Sequence, residues 1–291
     1  MVPRELRTRS RRKYDEMHDS GAEQCLIGTP STHAQASHRS RRSRVVGFVC
    51  GVLVLAHVLY LFHSMTSHER PALVVRTLFQ PIQWAFIGGY HHRGYHVVPI
   101  PAPLLAKLVL LVDEKRQNPD REFGGDGERL EDTIIFGRSS RIMIPNALRN
   151  ELVDAFRPLV SSFCGCELQD DATVGSGGVR VYQRGAYLAH HLDWAHKFVV
   201  SATLNIRQAN NGTRWPLTMQ SFGLSATQHS LTHVEGTAVL YEGSRMLHGR
   251  PEPLEDEFYA AAFVGFVPKA YPEGRGPLTQ LFVRAVAALS R

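Results

Sequence analysis

Cysteine is scarce in this chain of 291 residues, which contains only four. So few residues cannot supply the dense crosslinks of a small disulfide scaffold, and that class of protein is excluded. Cys164 and Cys166 form a C-x-C pair with no second pair to complete it. A structural zinc ion needs four ligands, so a zinc site is not expected here. The pair is expected to be either a disulfide or two buried thiols.

Excess charge is absent from most of the chain. Residues 1–44 contain ten Lys or Arg and five acids, an excess of +5. The net charge of the whole chain is +6, so residues 45–291 together carry about +1. The tail has few large apolar residues, and we predict a disordered basic segment over residues 1–44. Nucleic-acid binding is the alternative for this tail. Tyr14 is the single Phe, Trp or Tyr among its arginines, so no nucleic-acid partner is expected.

Charged residues are missing altogether from residues 45–62, which read VVGFVCGVLVLAHVLYLF. A helix of 18 residues spans about 27 Å, close to the thickness of the hydrocarbon core of a bilayer. The basic run HRSRRSR at residues 38–44 precedes it. The positive-inside rule then predicts a single-pass type II protein, with a cytosolic N-terminus and a signal anchor over residues 45–62. The rest would lie in the lumen of the endoplasmic reticulum or Golgi.

The apolar stretch has two alternatives to a signal anchor. A cleaved signal peptide has a short N-terminal region, whereas this one would be 44 residues long. A buried core helix would need a polar face, which this stretch lacks. The triplet Asn211-Gly212-Thr213 is a glycosylation sequon, and it is consistent with a luminal location.

Residues 63–100 are interpreted as a connecting region and residues 101–291 as the folded domain. Apolar spacing predicts helices over residues 102–116, 146–163 and 278–289. From Val179 the hydrophobic period changes to two, which predicts strands. Helices followed by a block of strands indicate an α+β domain, with helices supporting a β-sandwich or jelly roll.

The triplet His191-Leu192-Asp193 is the candidate for metal chemistry. Residues two apart on a strand share a face, so His191 and Asp193 can bind one ion together. His248, which follows the strand GTAVLYEG, is the best third ligand, and His229 or His233 would be next. Two imidazoles and one carboxylate form the facial triad of non-haem iron(II) oxygenases. An H-x-D triplet also occurs by chance in a chain with 15 histidines, so the context matters.

That context resembles a known family. The run R-V-Y-x-x-G-x-Y-L-x-x-H-x-D and the later run G-x-A-V-L-Y-x-G-x-x-x-x-H-G resemble the core of prolyl 4-hydroxylase-like 2-oxoglutarate and iron(II) dioxygenases. The resemblance covers residues 179–267. It implies a double-stranded β-helix, with His191, Asp193 and His248 as iron ligands and Tyr182 as a hydroxyl near 2-oxoglutarate. It also implies Fe(2+), 2-oxoglutarate as co-substrate, and ascorbate as a further cofactor.

The chain departs from the family at one position. The family carries a Lys or Arg about ten residues after the distal histidine, where this chain has Glu257-Phe258-Tyr259-Ala260-Ala261. A dianion in a dry pocket still needs a cationic partner. Arg250 is the first candidate, and Lys197 and Arg207 are the others. Strand parity adds Thr203 to Tyr182 as a hydroxyl at the co-substrate.

Two functions remain open on the sequence. The first is a membrane-anchored dioxygenase that hydroxylates an unactivated C–H bond, with a protein or peptide as the partner and a prolyl or other side chain as the acceptor. The second is a membrane-tethered binding module that kept the β-helix and lost turnover of 2-oxoglutarate. The missing base after His248 motivates the second, and the presence of three potential ligands argues against it.

Overall fold

The computed structural model of this chain describes residues 83–123, 134–209, 215–221 and 228–289. The predicted basic tail, the predicted signal anchor over residues 45–62 and the sequon at Asn211 lie outside these ranges, so those predictions stay open. Among the described residues, no helix combines the length and the apolar character needed to cross a membrane.

The described residues form helices and strands in an α+β arrangement. The helices are α1 (Ala102–Lys115), α2 (Asn146–Cys164) and α3 (Pro277–Leu289), with a 3₁₀ turn at Glu273–Arg275 and helical residues at 83–86. The strands are β1 (Tyr95–Pro99), β2 (Arg121–Phe123), β3 (Ile135–Phe136), β4 (Ser139–Met143), β5 (Thr173–Gln183), β6 (Tyr187–His191), β7 (Val200–Gln208), β8 (Leu217–Gln220), β9 (Gln228–Leu231), β10 (Thr237–Tyr241), β11 (Leu247–Arg250) and β12 (Phe258–Phe266). All three predicted helices are present within one residue of their predicted ends.

The strands form two antiparallel sheets. The larger sheet has the order β1-β10-β7-β12-β5-β4-β2, and the smaller has the order β3-β6-β11-β8-β9. From β5 to β12, consecutive strands alternate between the larger and the smaller sheet. The one exception in this range is β8 and β9, which are paired neighbours in the smaller sheet. That order is the one produced when an antiparallel ribbon coils into a double-stranded β-helix, so the predicted jelly roll is confirmed.

Helices α1 and α2 cover the outer face of the larger sheet. The buried residues of α1 recur every four positions, as Leu104, Leu108 and Val112, and form one apolar stripe. The alternating apolar residues of β7 meet this stripe in the main core, together with the buried face of α2. The predicted parity of β7 is therefore confirmed over its first seven residues. The opposite face of β7 lines the space between the two sheets.

The end of the predicted connecting region, residues 63–100, contains a strand. Tyr95–Pro99 forms β1, which pairs with β10 along the edge of the larger sheet. The sequence interpretation missed this strand, because Val97 and Val98 are adjacent and both polar and apolar residues of β1 are largely exposed. The edge strand needs little burial because its backbone hydrogen bonds to β10 hold it in place.

The C-x-C pair follows the end of α2. Gly165 ends the helix with a positive φ of 59°, a conformation that glycine adopts without steric cost. Cys164 and Cys166 on either side of it form a disulfide, which decides between the two alternatives left open by the sequence.

Candidate metal centre and anion pocket

Two histidines face each other across the smaller sheet. Strand β11 pairs with β6 so that His248 is the direct cross-strand partner of His191. Directly opposed residues of an antiparallel pair point to the same face of the sheet. Their rings lie 4.3 Å apart between centroids, within the space between the two sheets.

Backbone carbonyls fix the orientation of both imidazoles. Nδ1 of His191 lies 2.9 Å from the carbonyl oxygen of Ala189, and Nδ1 of His248 lies 2.8 Å from that of Met246. A carbonyl only accepts hydrogen bonds, so each Nδ1 must carry the proton. Each Nε2 then presents a lone pair, as metal-ligating histidines do when their other nitrogen donates to a carbonyl.

Asp193 completes the three-residue cluster. Its Oδ1 lies 3.7 Å from Nε2 of His191 and 3.7 Å from Nε2 of His248. The three ligand atoms all lie within 4.8 Å of one another. Donor atoms about 2.1 Å from one ion are about 3.0–3.4 Å apart, so binding would need only small side-chain movements. The predicted triad is therefore present as a convergent set.

Tyr241 holds the second oxygen of Asp193. The Tyr241 hydroxyl donates to Oδ2 over 3.2 Å, which leaves Oδ1 facing the two histidines. The same ring lies edge-on to His248, at 4.7 Å between centroids. Sequence reasoning missed this contact, although the period-two parity of β10 puts Tyr241 on the same face as Val239, inside the barrel.

Burial makes the carboxylate of Asp193 costly without a cation. The residue is 9% exposed, and desolvation raises its pKa to about 7, although the Tyr241 hydroxyl opposes this shift. Desolvation and the nearby Asp193 together raise the pKa of Tyr241, so its hydroxyl keeps its proton and remains a donor. A divalent cation would restore the charged form of Asp193, because it replaces the lost hydration.

Two glycines allow the backbone to approach the cluster. The amide of Asp193 donates to the carbonyl of Gly243, and a Cβ on Gly243 would lie 2.1 Å from Asp193 Oδ2. A Cβ on Gly249, beside His248, would lie 2.8 Å from the backbone of β6. Both glycines belong to the second motif run. The close approach of the backbones at the cluster explains why the motif carries glycine at these two positions.

Arg250 lies inside the barrel on the same strand as His248. It is 3% exposed, and within the described ranges no acidic side chain is paired with it. Its guanidinium donates to the Tyr259 hydroxyl over 2.7 Å, to Nδ1 of His233 over 2.9 Å and to the carbonyl of Trp215. It also lies over the rings of Trp215 and Tyr259, 4.9 and 4.5 Å from their centroids. A buried cation without an acidic neighbour is a suitable partner for an anionic ligand.

His233 is the neutral member of this group. Burial, reinforced by the charge of Arg250, lowers the pKa of His233 to about 3. Its Nε2 lies 3.0 Å from the carbonyl of Thr237, so Nε2 donates and Nδ1 accepts from Arg250. His233 therefore supports the cation and is not needed as a metal ligand. His229, the other reserve ligand, lies beside Tyr95.

The two other candidate cations do not reach the pocket. Lys197 is exposed in the loop before β7, so the prediction that it lies on a strand beside the co-substrate is wrong. Arg207 forms ion pairs with Asp113 of α1 and with Glu235, on the outer side of the sheet. A bulge explains this position, because the pairing of β12 with β7 skips one residue between Asn205 and Arg207 and reverses the face.

The two predicted hydroxyls, of Tyr182 and Thr203, lie in different parts of the barrel. Tyr182 is buried against the rings of Trp215 and Tyr259, at 5.1 and 6.4 Å between centroids, so it belongs to the surroundings of Arg250. Thr203 is paired with Val239 and Phe263, which pack in the cluster around Tyr241. Thr203 is therefore four residues along the sheet from the level of Tyr259, and its placement beside the Arg250 cluster is wrong.

Residues 83–91, ahead of β1, form a clasp. They make hydrogen bonds to the loop that carries Asp193 and to the turn between β10 and β11. The Gln83 side-chain amide donates to the backbone carbonyl of Asp193 over 3.2 Å. The buried carboxylate of Glu242 accepts from the backbone amides of Tyr90 and His91, at 3.0 and 2.8 Å. Glu242 also pairs with Arg245, so the segment is tied to the turn between β10 and β11. Sequence reasoning missed this clasp.

Comparisons with known proteins gave results only among solved structures. No family model matches the chain, and no curated protein matches its sequence. A prolyl-4-hydroxylase from Pseudomonas putida has 18% identity and a TM-score of 0.44, covering 64% of this chain and 99% of that one. A Trichoplax adhaerens prolyl hydroxylase, solved with a peptide fragment of the hypoxia inducible factor oxygen degradation domain, has 11% identity and a TM-score of 0.47, covering 74% and 99%. A 2OG-Fe(II) oxygenase family protein from Burkholderia pseudomallei has 12% identity and a TM-score of 0.42, covering 70% and 91%.

Burial of Asp193 leads to a prediction on the metal-free protein. A pKa raised in the folded state means that ionisation costs stability above the unfolded pKa of about 3.8, and the cost grows until about pH 7. Asp193→Asn removes this cost. The free energy of unfolding of the variant, minus that of the unsubstituted chain, should increase by about 2 kcal/mol or more between pH 5 and pH 8. Urea unfolding with a chelator present measures this difference. Added Mn²⁺ or Co²⁺ should stabilise only the unsubstituted chain. A difference in stability that does not change with pH would contradict the assignment.

Proposed function

We propose that this protein is an iron(II)- and 2-oxoglutarate-dependent oxygenase that hydroxylates an unactivated C–H bond. The observation that carries the proposal is the pairing of two sites on one strand. His248 belongs to a convergent His-Asp-His cluster, and two residues further on Arg250 supplies a buried cation with no acidic partner among the described residues. A metal-chelating dianion needs both elements together.

The residues fit iron(II) by their chemistry. Two neutral imidazoles and one carboxylate on one side of an ion leave positions for a bidentate 2-oxo acid and dioxygen. When bound, iron and 2-oxoglutarate supply the oxidising chemistry, and carbon dioxide and succinate leave. The chain itself orients the ligands: Ala189 and Met246 fix the imidazoles, and Tyr241 fixes the carboxylate.

Arg250 fits the distal carboxylate of 2-oxoglutarate. Alternate residues of a strand lie about 7 Å apart on the same face, which suits an acid whose two ends are about 5–6 Å apart. The planar guanidinium can meet a carboxylate with two parallel hydrogen bonds. Tyr182, Tyr259 and Trp215 surround it with aromatic rings and keep the carboxylate's environment dry. Ascorbate is proposed as a further cofactor, and the sequence resemblance over residues 179–267 supports it.

The acceptor is proposed to be a protein or peptide side chain, a prolyl residue among the candidates. The motif resemblance over residues 179–267 supports this choice of substrate class. The alternative is a binding module without turnover. It was motivated by the missing base after His248, and the buried position of Arg250 removes that motive.

Turnover tests the proposal directly. The full chain in detergent, loaded with Fe(II), is expected to convert 2-oxoglutarate to succinate, even without an acceptor. Asp193→Ala should abolish succinate formation, because a carboxylate ligand is lost while little core packing changes. Thermal unfolding checks that the variant is folded. A folded chain that binds iron and 2-oxoglutarate but forms no succinate under any condition would favour the binding module.

The carboxylate clamp gives a second measurement. Arg250→Ala should raise the apparent KM for 2-oxoglutarate at least tenfold, since a hydrogen bond to a charged group contributes about 1.5–3 kcal/mol. Metal binding, followed by the visible spectrum of Co²⁺, should survive. Arg207→Ala is the matched control, because that arginine lies on the outer side of the sheet and should leave KM unchanged. Equal KM values for both variants would show that another group binds the carboxylate.

The location is also a proposal: a type II membrane protein with the catalytic domain in the lumen of the endoplasmic reticulum or Golgi. The uncharged stretch at residues 45–62, the basic run before it and the sequon at Asn211 support it. In sealed microsomes, added protease should shorten the chain by about the basic tail and leave a glycosylated fragment. Digestion of the catalytic part would show that the orientation is the opposite one. A product that starts after residue 62 would show that the apolar stretch is a cleaved signal.

A further inference from the structure

Helix α3 has an apolar face that nothing in the described part of the chain covers. Leu278 and Leu281 are 65% and 67% exposed, and Ala285 and Ala288 on the same face are also exposed. The spacing of three, four and three residues puts all four on one line along the helix, here called the α3 seam. Large exposed apolar side chains in line mark an interaction surface more often than single ones do.

The opposite face of α3 is already occupied. Val283 is buried with Ala195 and Val199, which belong to the loop that follows Asp193. The Thr279 hydroxyl donates to the carbonyl of Phe86, and the ring of Phe86 stacks on Phe282 at 5.6 Å. The helix is therefore fixed to the domain by one face, and the seam points away from it.

The position of α3 in the fold limits what can cover the seam. Its inner face holds residues 86 and 87, close to the first described residue. Only 20 residues separate that point from the uncharged stretch ending at Phe62. A chain of 20 residues reaches at most about 70 Å, so an anchored domain cannot move far from the bilayer. Trp194, on the loop packed under α3, is also 41% exposed, and tryptophan is favoured at membrane interfaces.

The composition of the helix favours lipid over a second copy of the chain. Helix α3 has no acidic residue, and its one charged side chain is the exposed Arg284. Apolar residues with a basic residue beside them suit the boundary between headgroups and acyl chains. A stable protein interface uses about 20–30 residues on each side, whereas the seam offers four, two of them alanine.

We propose that the α3 seam lies on the surface of the membrane and holds the catalytic domain against it. The inference rests on the membrane anchor of the proposed function. It adds a second, reversible contact to the anchor, made by the folded domain. Because the inner face of α3 packs on the loop after Asp193, this contact keeps the loop of the metal site close to the bilayer.

Photocrosslinking of the full chain tests the seam. The photoreactive residue p-benzoyl-phenylalanine replaces Leu281 in one variant and Leu110, which is 69% exposed on α1, in the control. Both proteins are reconstituted in vesicles of phosphatidylcholine and phosphatidylserine, irradiated and examined by mass spectrometry. Lipid adducts are expected to be at least fivefold more abundant at position 281 than at position 110. Thermal unfolding verifies that both variants are folded.

Equal adducts at the two positions overturn the inference, and crosslinks between two chains at position 281 overturn it in favour of self-association. Alkaline extraction of the same vesicles is the separate check on the anchor. A chain that stays in the vesicles without lipid adducts at position 281 overturns the seam alone. A chain that is released at high pH overturns the anchor, and the seam with it.

Discussion

The arrangement of this protein depends on one cross-strand pair. Because β6 and β11 are antiparallel neighbours with His191 opposite His248, two imidazoles enter the barrel at the same level. Every other feature of the cluster follows from that register. The loop after β6 brings Asp193 back to the pair, and the glycines at 243 and 249 give the backbones the space to approach. A shift of one residue would turn one histidine to the outside and leave Asp193 with a single partner.

Most of the cluster was predictable because its signals are local. The H-x-D spacing identified His191 and Asp193, although β6 ends at His191 and Asp193 lies in the loop after it. The spacing of four defines the buried stripes of the helices. Other features were not predictable because they depend on contacts between distant segments. The bulge in β7 moves Arg207 to the helix-covered side, and no residue in the strand indicates it. Arg250 could be named from its spacing to His248, but its burial among Trp215, His233 and Tyr259 required the whole barrel.

Electrostatics divides the interior into two unlike halves. Around Asp193 the barrel holds a negative charge that burial disfavours, and around Arg250 it holds a positive charge with no acid beside it in the described chain. The two groups are not paired with each other, although both are buried. A ligand that brings a cation to the first and an anion to the second would stabilise both. The interior therefore suits a metal and an organic anion that enter together.

The clasp formed by Gln83, Tyr90 and His91 also limits where the catalytic part can be cut. A fragment starting at residue 101, the domain boundary read from the sequence, would lack β1 and both amides that satisfy the buried carboxylate of Glu242. Glu242 would keep Arg245 but lose two hydrogen bonds. A buried carboxylate with fewer partners is costly, so such a fragment should express poorly or aggregate. A soluble version for crystallisation or screening has to begin ahead of residue 83, which leaves little distance to the apolar stretch that it is meant to avoid.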